Sequence, residues 1–333
     1  MSRRVIPGLE APDPTLEHDV RRRLDDVERA LEKAVRAESE MLAETASYLL
    51  ASGGKRFRPM LVLLSGYFGD PTDPRLVPGS VAIELVHAAT LYHDDVIDEA
   101  ESRHGVASVN ARWDNTVAIL TGDYLFARAS EISTDLGTDV CALLARTIAT
   151  LCDGQIREVQ AAGRVDQTGD AYMEIIRRKT GALISTSCRL GGMLSDAAPE
   201  HVDVLEEFGE ALGMAFQLSD DVMDVTASHH ELGKEPGVDM KEGVYTLPVL
   251  AALGDGRHAA ELADLLSAGP PQGERLARAL EIVREDATLS LARAAVAAEV
   301  VRAETLANRL PDGPARSALV ALARFLAARC GAR

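Results

Sequence analysis

The sequence predicts an all-α protein, a single-domain helical bundle, and three observations carry that expectation. From about Pro14 onward apolar residues recur at the three- and four-residue intervals of a helix with one buried face, and no alternating run competes as a strand. Short Gly/Pro clusters punctuate this pattern at helix-length intervals. Aromatic residues make up only 4% of the chain against 47% hydrophobic residues, many of them alanine, so the core should form by close helix packing rather than around large rings.

The elements follow in order. Residues 1–16 are expected to be an amino-terminal tail and residues 17–333 one helical domain, a length that helical folds can reach undivided. A first stop falls at Gly53-Gly54, behind a helix ending near Ser52, and Pro59 can open the next helix. Residues 69–78 (GDPTDPRLVP) read as a loop, followed by the apolar run LVHAATLYHDDVID as a helix and by a second loop over residues 101–108. Further loops are expected at residues 163–169, 191–199, 269–273 and 310–314. Within the run YMEIIRRKTGALISTSCRL, Gly181 weakens the helix and predicts a local break. Residues 226–246 form a longer polar stretch, expected to be a lid over a site, because unstructured segments of that length in compact domains tend to be functional or disordered.

Composition excludes several roles. The formal net charge of −17 opposes binding to nucleic acid or anionic lipid, so an anionic ligand would need local cations and metal. No stretch is long and apolar enough for a transmembrane helix, and the start MSRRVIPGLEAPDPTLEHD has no apolar core behind its arginines, which points to a cytoplasmic protein. Cys141, Cys152, Cys188 and Cys330 lack metal or redox spacing and read as packing residues.

The chemistry is concentrated in a doubled acidic motif. Asp94-Asp95-Val96-Ile97-Asp98 recurs as Asp220-Asp221-Val222-Met223-Asp224, each within a strongly apolar helical run. At about 3.6 residues per turn the first and last aspartates share a helix face. Asp94 and Asp98, and likewise Asp220 and Asp224, are therefore candidate ligands of Mg²⁺, which keeps several waters and bridges a few carboxylates to substrate phosphates. Two such helices could clamp one diphosphate; a solvated acidic stretch is the alternative for either copy alone.

Cations occur where an anion would need them. Gly53-Gly54-Lys55-Arg56-Phe57-Arg58-Pro59 delivers three cations in four residues at a helix start, which suits an anion cradle or a basic surface cap. His87 lies two helical turns before Asp94 on the same face, as a phosphate donor or a structural histidine. Arg103 follows Asp98 by five residues, placed to reach back over a bound diphosphate or to stand in a loop. Gln217 precedes Asp220 by three residues, as a neutral donor on the metal face or a helix–helix contact. Lys179 and Thr180, at the expected break, could turn inward or remain on the helix surface. In the long stretch, Lys234 and Asp239 flank Gly237.

Over about residues 50–250 the order of these motifs resembles the trans-isoprenyl diphosphate synthases of the polyprenyl synthetase family, long-chain type. The resemblance implies an all-helical domain around a deep central cavity, usually homodimeric, that condenses isopentenyl diphosphate with an allylic prenyl diphosphate. Asp94, Asp95, Asp98, Asp220, Asp221 and Asp224 would then form the two aspartate-rich motifs, with about three Mg²⁺ ions bound alongside the substrate diphosphate. Lys55, Arg58 and His87 would hold isopentenyl diphosphate. Arg103, Lys179, Thr180, Gln217 and Lys234 would hold the allylic diphosphate or its leaving group, while the role of Arg56 is open. Ala89 and Thr90, one turn below Asp94, are small where short-product members place aromatic side chains, which implies a product longer than farnesyl diphosphate. Two departures are His104, where the family usually has a second arginine, and Val244, where a lid lysine is common. A class I terpene cyclase and a regulatory subunit of a heteromeric synthase are the alternative readings.

Overall fold

The structure, a computed structural model, describes residues 13–52, 54–103, 105–226, 236–255 and 257–332. Its first half contains α1 (Pro14–Ala34), α2 (Glu40–Ala51), α3 (Phe57–Ser65), α4 (Leu76–Ile97), the short strands β1 (Ser102–Arg103) and β2 (Val106–Ala107), α5 (Val109–Arg112), α6 (Asn115–Leu136) and α7 (Thr138–Ala161). Then come α8 (Gly169–Ile176), a π-helical turn (Arg177–Gly181), α9 (Ala182–Leu194), α10 (Pro199–Thr226), α11 (Val238–Lys241), α12 (Leu247–Asp255), α13 (Ala259–Ser267), α14 (Glu274–Val283), α15 (Asp286–Ala307) and α16 (Pro314–Arg329). The expected all-α class holds. Among the described residues, no helix is long and apolar enough to cross a membrane. Contacts divide the chain into two compact units.

The first unit comprises Met1–Ile148, Leu183–Glu207 and Ala307–Leu319. Helix α1 starts where the Asp13 carboxylate accepts the backbone N–H groups of Thr15 and Leu16 at 2.7 and 3.2 Å. Pro14 occupies the first turn, where its missing N–H costs nothing. The helix therefore begins inside the stretch expected to be tail, residues 1–16. Its stripe of Leu16, Val20, Val27 and Leu31 is buried, and α1 packs against α3 and α4.

Helix α4 is buried nearly all round from Leu76 to Tyr92 and is flanked by α1, α3 and α6, as befits a helix with little polar surface. It leaves the core only at its acidic end, where Asp94 is partly exposed and Asp98 exposed. The contact with α6 is close: a side chain at Gly122 would collide with Nε2 of His93, the residue preceding Asp94.

Two loop expectations are corrected here. Within the expected loop 101–108, Ser102–Arg103 and Val106–Ala107 pair as antiparallel strands, Ser102 opposite Ala107 and Arg103 opposite Val106, too short for alternation to show in the sequence. Gly191 belongs to α9 rather than to a loop; a side chain there would collide with the Val62 carbonyl oxygen, so the glycine permits close packing on α3.

The second unit comprises Ala149–Ala182, Phe208–Leu306 and Val320–Arg333. The end of α10 is held firmly, since the Gly237 N–H donates to the Asp224 carbonyl at 2.9 Å and Arg284 Nε to the Val225 carbonyl at 2.6 Å. Of the expected lid, residues 227–235 lie outside the described residues, and the remainder contains α11.

Candidate active site

Along α4, Glu84, His87, Leu91, Asp94 and Asp98 follow one another at steps of three and four residues and so share one stripe. Exposure rises along it, from 5% at Glu84 through the half-buried His87 and Asp94 to the exposed Asp98. Asp94 and Asp98 stand one turn apart, with the Asp98 N–H bonded to the Asp94 carbonyl at 2.8 Å. Asp95 turns away from them. It is fully buried and accepts Arg103 Nε and Nη2 at 2.7 and 2.6 Å, so the hairpin delivers Arg103 back to the motif.

The three cations of the cradle divide by environment. Arg56, in the left-handed region at φ 48, is buried, and pairs with Glu84 at 2.9 Å and Glu28 at 2.8 Å while donating to the Leu50 carbonyl at 2.7 Å. A Cβ on Gly54 would come within 2.7 Å of its guanidinium, which is why glycine stands at that position. Arg56 is thereby committed to the fold, and nothing in the local motif pointed to Glu28 or Glu84 as its partners. Lys55 is exposed. Arg58 is half-buried; desolvation lowers its pKa while Glu84 opposes the shift, and its buried Nε has no hydrogen-bond partner among the described residues. A guanidinium with an unsatisfied buried donor fits an anionic ligand.

On α10, Gln217 donates Nε2 to Asp221 at 3.0 Å and accepts the Thr180 hydroxyl at 2.9 Å, which fixes the orientation of its amide. Asp221 is fully buried and also accepts a hydrogen bond from the Tyr172 hydroxyl. Burial pushes its carboxyl up to about 7, against the effect of the hydrogen bonds from Tyr172 and Gln217. Asp220 is partly exposed and Asp224 is buried. Arg329, from the last turn of α16, pairs with Asp220 at 2.5 Å.

The expected break near Gly181 is a π-helical turn spanning Arg177–Gly181. Gly181 itself has only ordinary 3.8 Å neighbours, whereas a Cβ on Gly154 of α7 would stand 2.8 Å from the Lys179 backbone nitrogen. The close approach is therefore at Gly154. Lys179 forms an ion pair with Glu158, also on α7.

Sequence spacing thus places Asp94, Asp98, His87 and Gln217 on the faces where they are found. It missed Tyr172, Glu158 and Arg329, of which only Tyr172, two turns before Lys179, left a local signal. His104 and Lys234 lie outside the described residues. Ala89 is fully buried, whereas Thr90 is half-buried with its hydroxyl donating to the His87 carbonyl at 2.8 Å. Of that pair only Thr90 presents surface. Among the described residues no three or more His, Cys, Asp or Glu side chains converge to cage a metal. Carboxylates one turn apart, with Asp94, Asp98 and Asp220 reaching solvent and Asp224 buried, nevertheless fit Mg²⁺, which completes its shell with water and phosphate oxygens.

Residues 39–283 match the polyprenyl synthetase family. The chain is 38% identical over 329 residues to the nonaprenyl diphosphate synthase of Mycobacterium tuberculosis, covering 98% of each. It is 40% identical over 305 residues to heptaprenyl diphosphate synthase component 2 of Geobacillus stearothermophilus, covering 91% of this chain and 94% of that one. Among solved structures it resembles a geranylgeranyl pyrophosphate synthase from Corynebacterium glutamicum complexed with calcium and isoprenyl diphosphate, at a TM-score of 0.85 and 41% identity, covering 96% of this chain and 99% of that one. With its fold, its two acidic motifs and these likenesses along most of its length, the chain belongs to the polyprenyl synthetase family.

Proposed function

We propose that the protein is an Mg²⁺-dependent prenyltransferase that condenses isopentenyl diphosphate with an allylic prenyl diphosphate, giving an all-trans polyprenyl diphosphate of geranylgeranyl length or longer. The observation that carries this reading is the parallel construction of the two acidic helix ends. In each, the first aspartate is partly exposed, and the second is fully buried and held by protein donors: Arg103 for Asp95, Tyr172 and Gln217 for Asp221. Family membership, and relatives named as nonaprenyl and heptaprenyl synthases, support chain elongation over ring closure.

In the reaction the C1–O bond of the allylic diphosphate breaks and pyrophosphate leaves. The double bond of isopentenyl diphosphate attacks the allylic cation, and transfer of a proton to the departed pyrophosphate restores a double bond in a product one isoprene unit longer. Divalent metal held by Asp94, Asp98, Asp220 and Asp224 would supply charge neutralisation at the departing diphosphate; the likeness to a calcium complex supports a divalent ion. Lys55, Arg58 and His87 hold isopentenyl diphosphate, Arg58 through its unsatisfied Nε. Lys179, Thr180, Gln217, Arg103 and Lys234 hold the allylic diphosphate, with Gln217 pre-oriented by Thr180 and Asp221. Thr90, rather than the buried Ala89, meets the growing tail.

The test is incubation of the purified protein with Mg²⁺, isopentenyl diphosphate and each allylic primer, with products identified by mass spectrometry. Products extended by isoprene units are expected; failure to consume isopentenyl diphosphate with any primer overturns the reading for this chain alone. A homodimer is the proposed assembly. The likeness to a heptaprenyl synthase component 2 favours, as the second reading, a partner chain, which light scattering of the active species distinguishes.

A further inference from the structure

We infer that Arg329 is the resident counter-cation of Asp220, a positioning residue that fixes this carboxylate and weakens its hold on a divalent ion arriving alone. The inference rests on the proposed role of Asp220 as a metal ligand. The guanidinium is held from several sides. Its Nε donates to Ser219 Oγ at 2.6 Å, and its Nη2 donates to the Phe216 carbonyl at 3.1 Å and to Asp220 Oδ1 at 2.5 Å. The group also lies 5.0 Å from the centre of the Phe216 ring. Ser219 is fully buried and donates its own hydroxyl to the Leu326 carbonyl at 3.1 Å, tying the arrangement back to α16.

Exposure gives the pair a direction. Arg329 is 18% exposed and Asp220 43%, so the cation is anchored on the buried side and the carboxylate opens toward solvent. Arg329 ends α16, where a positive charge also suits the helix carboxyl terminus. Asp221 and Asp224 lie on the same turn and next turn of α10, both buried, which adds to the demand for positive charge there. A fixed guanidinium in contact with a carboxylate repels a second cation. Diphosphate brings negative charge that offsets this repulsion, so metal accompanied by diphosphate is penalised less than metal alone.

The test uses the full chain, freed of metal by chelation, with thermal unfolding followed against Mg²⁺ concentration in the absence of substrate. Arg329→Met is expected to lower the Tm of the metal-free protein, to regain most of that loss with Mg²⁺ alone, and to shift the half-saturating Mg²⁺ concentration down roughly fivefold. Arg329→Lys should return the midpoint toward the natural one. Should Arg329→Met not fold, Arg329→Gln keeps hydrogen-bonding capacity without charge and is read in the same way. A Tm loss equal with and without Mg²⁺, with the midpoint unmoved, makes Arg329 a packing residue and overturns the inference. Asp220→Asn separates the two readings: if it shifts the Mg²⁺ midpoint and neutral replacements of Arg329 do not, the inference alone fails, and if it leaves the midpoint unmoved, the ligand role of Asp220 and the inference fall together.

Discussion

Arg56→Met offers a stringent test of how the cradle divides between fold and substrate. The side chain satisfies Glu84, Glu28 and the Leu50 carbonyl from a buried position, and Glu84 itself is 5% exposed. Removing one partner of such a pair leaves the other carboxylate buried and uncompensated, which costs about 3–5 kcal/mol. The loss should depend on pH. Burial raises the pKa of Glu84 above its usual value, against the pull of Arg56 and Arg58. A raised acid binds its proton more tightly folded than unfolded, so it lowers stability as pH climbs above about 4.5. Without Arg56 the folded pKa rises further, and the gap between variant and natural protein should widen from pH 5 to pH 8 by about 1–2 kcal/mol. Urea unfolding at both pH values measures the gap, and Arg56→Met with Glu84→Gln should recover most of the loss. The Michaelis constant for isopentenyl diphosphate should stay near the natural value in the folded variant. Natural stability combined with a sharply raised Michaelis constant would refute this assignment and make Arg56 a substrate ligand.

Other expectations concern the site itself. Asp94→Ala and Asp220→Ala should each reduce turnover by about a hundredfold or more, as chelation should, with the helical circular-dichroism signal retained; near-natural product formation would remove that residue from the mechanism. Thr90→Phe should shorten the product while folding normally, whereas Ala89→Phe should destabilise by about 1–3 kcal/mol through overpacking; product profiles and melting curves of the two separate these outcomes. Asp221→Asn should stabilise the metal-free protein above pH 7, because burial lifts the carboxyl from 3.8 to about 7 and folded stability therefore falls as pH rises through that interval. The deficit is at most about 4 kcal/mol at about 1.4 kcal/mol per pH unit, and parallel Tm–pH curves for the two proteins would contradict it.

The features legible in the sequence were local. The stripe of His87, Asp94 and Asp98 follows from helix period alone, as does Gln217 beside the second motif. The hairpin at Arg103 escaped because each strand has two residues, too few for alternation to register. Gly191 resembles punctuation because a glycine that ends a helix and one that admits a neighbouring backbone look alike until the neighbour, Val62, is known. Arg329 and Asp220 are separated by more than a hundred positions, and Arg56 by 28 from each of its acidic partners, so periodicity carries no trace of either pairing.

The π-helical turn at Arg177–Gly181 holds one residue more than an α-helix would use to cover the same axial rise. Deleting a single residue from it would regularise the helix and turn α8 by about 100° about the helix axis. Tyr172, on α8, would then swing away from Asp221, and Lys179 would lose its alignment with Glu158. Lys179 and Thr180 thus owe their aim to phase as well as to identity: a one-residue deletion there, silent in composition and charge pattern, would dismantle the Thr180–Gln217–Asp221–Tyr172 chain without replacing any of its members.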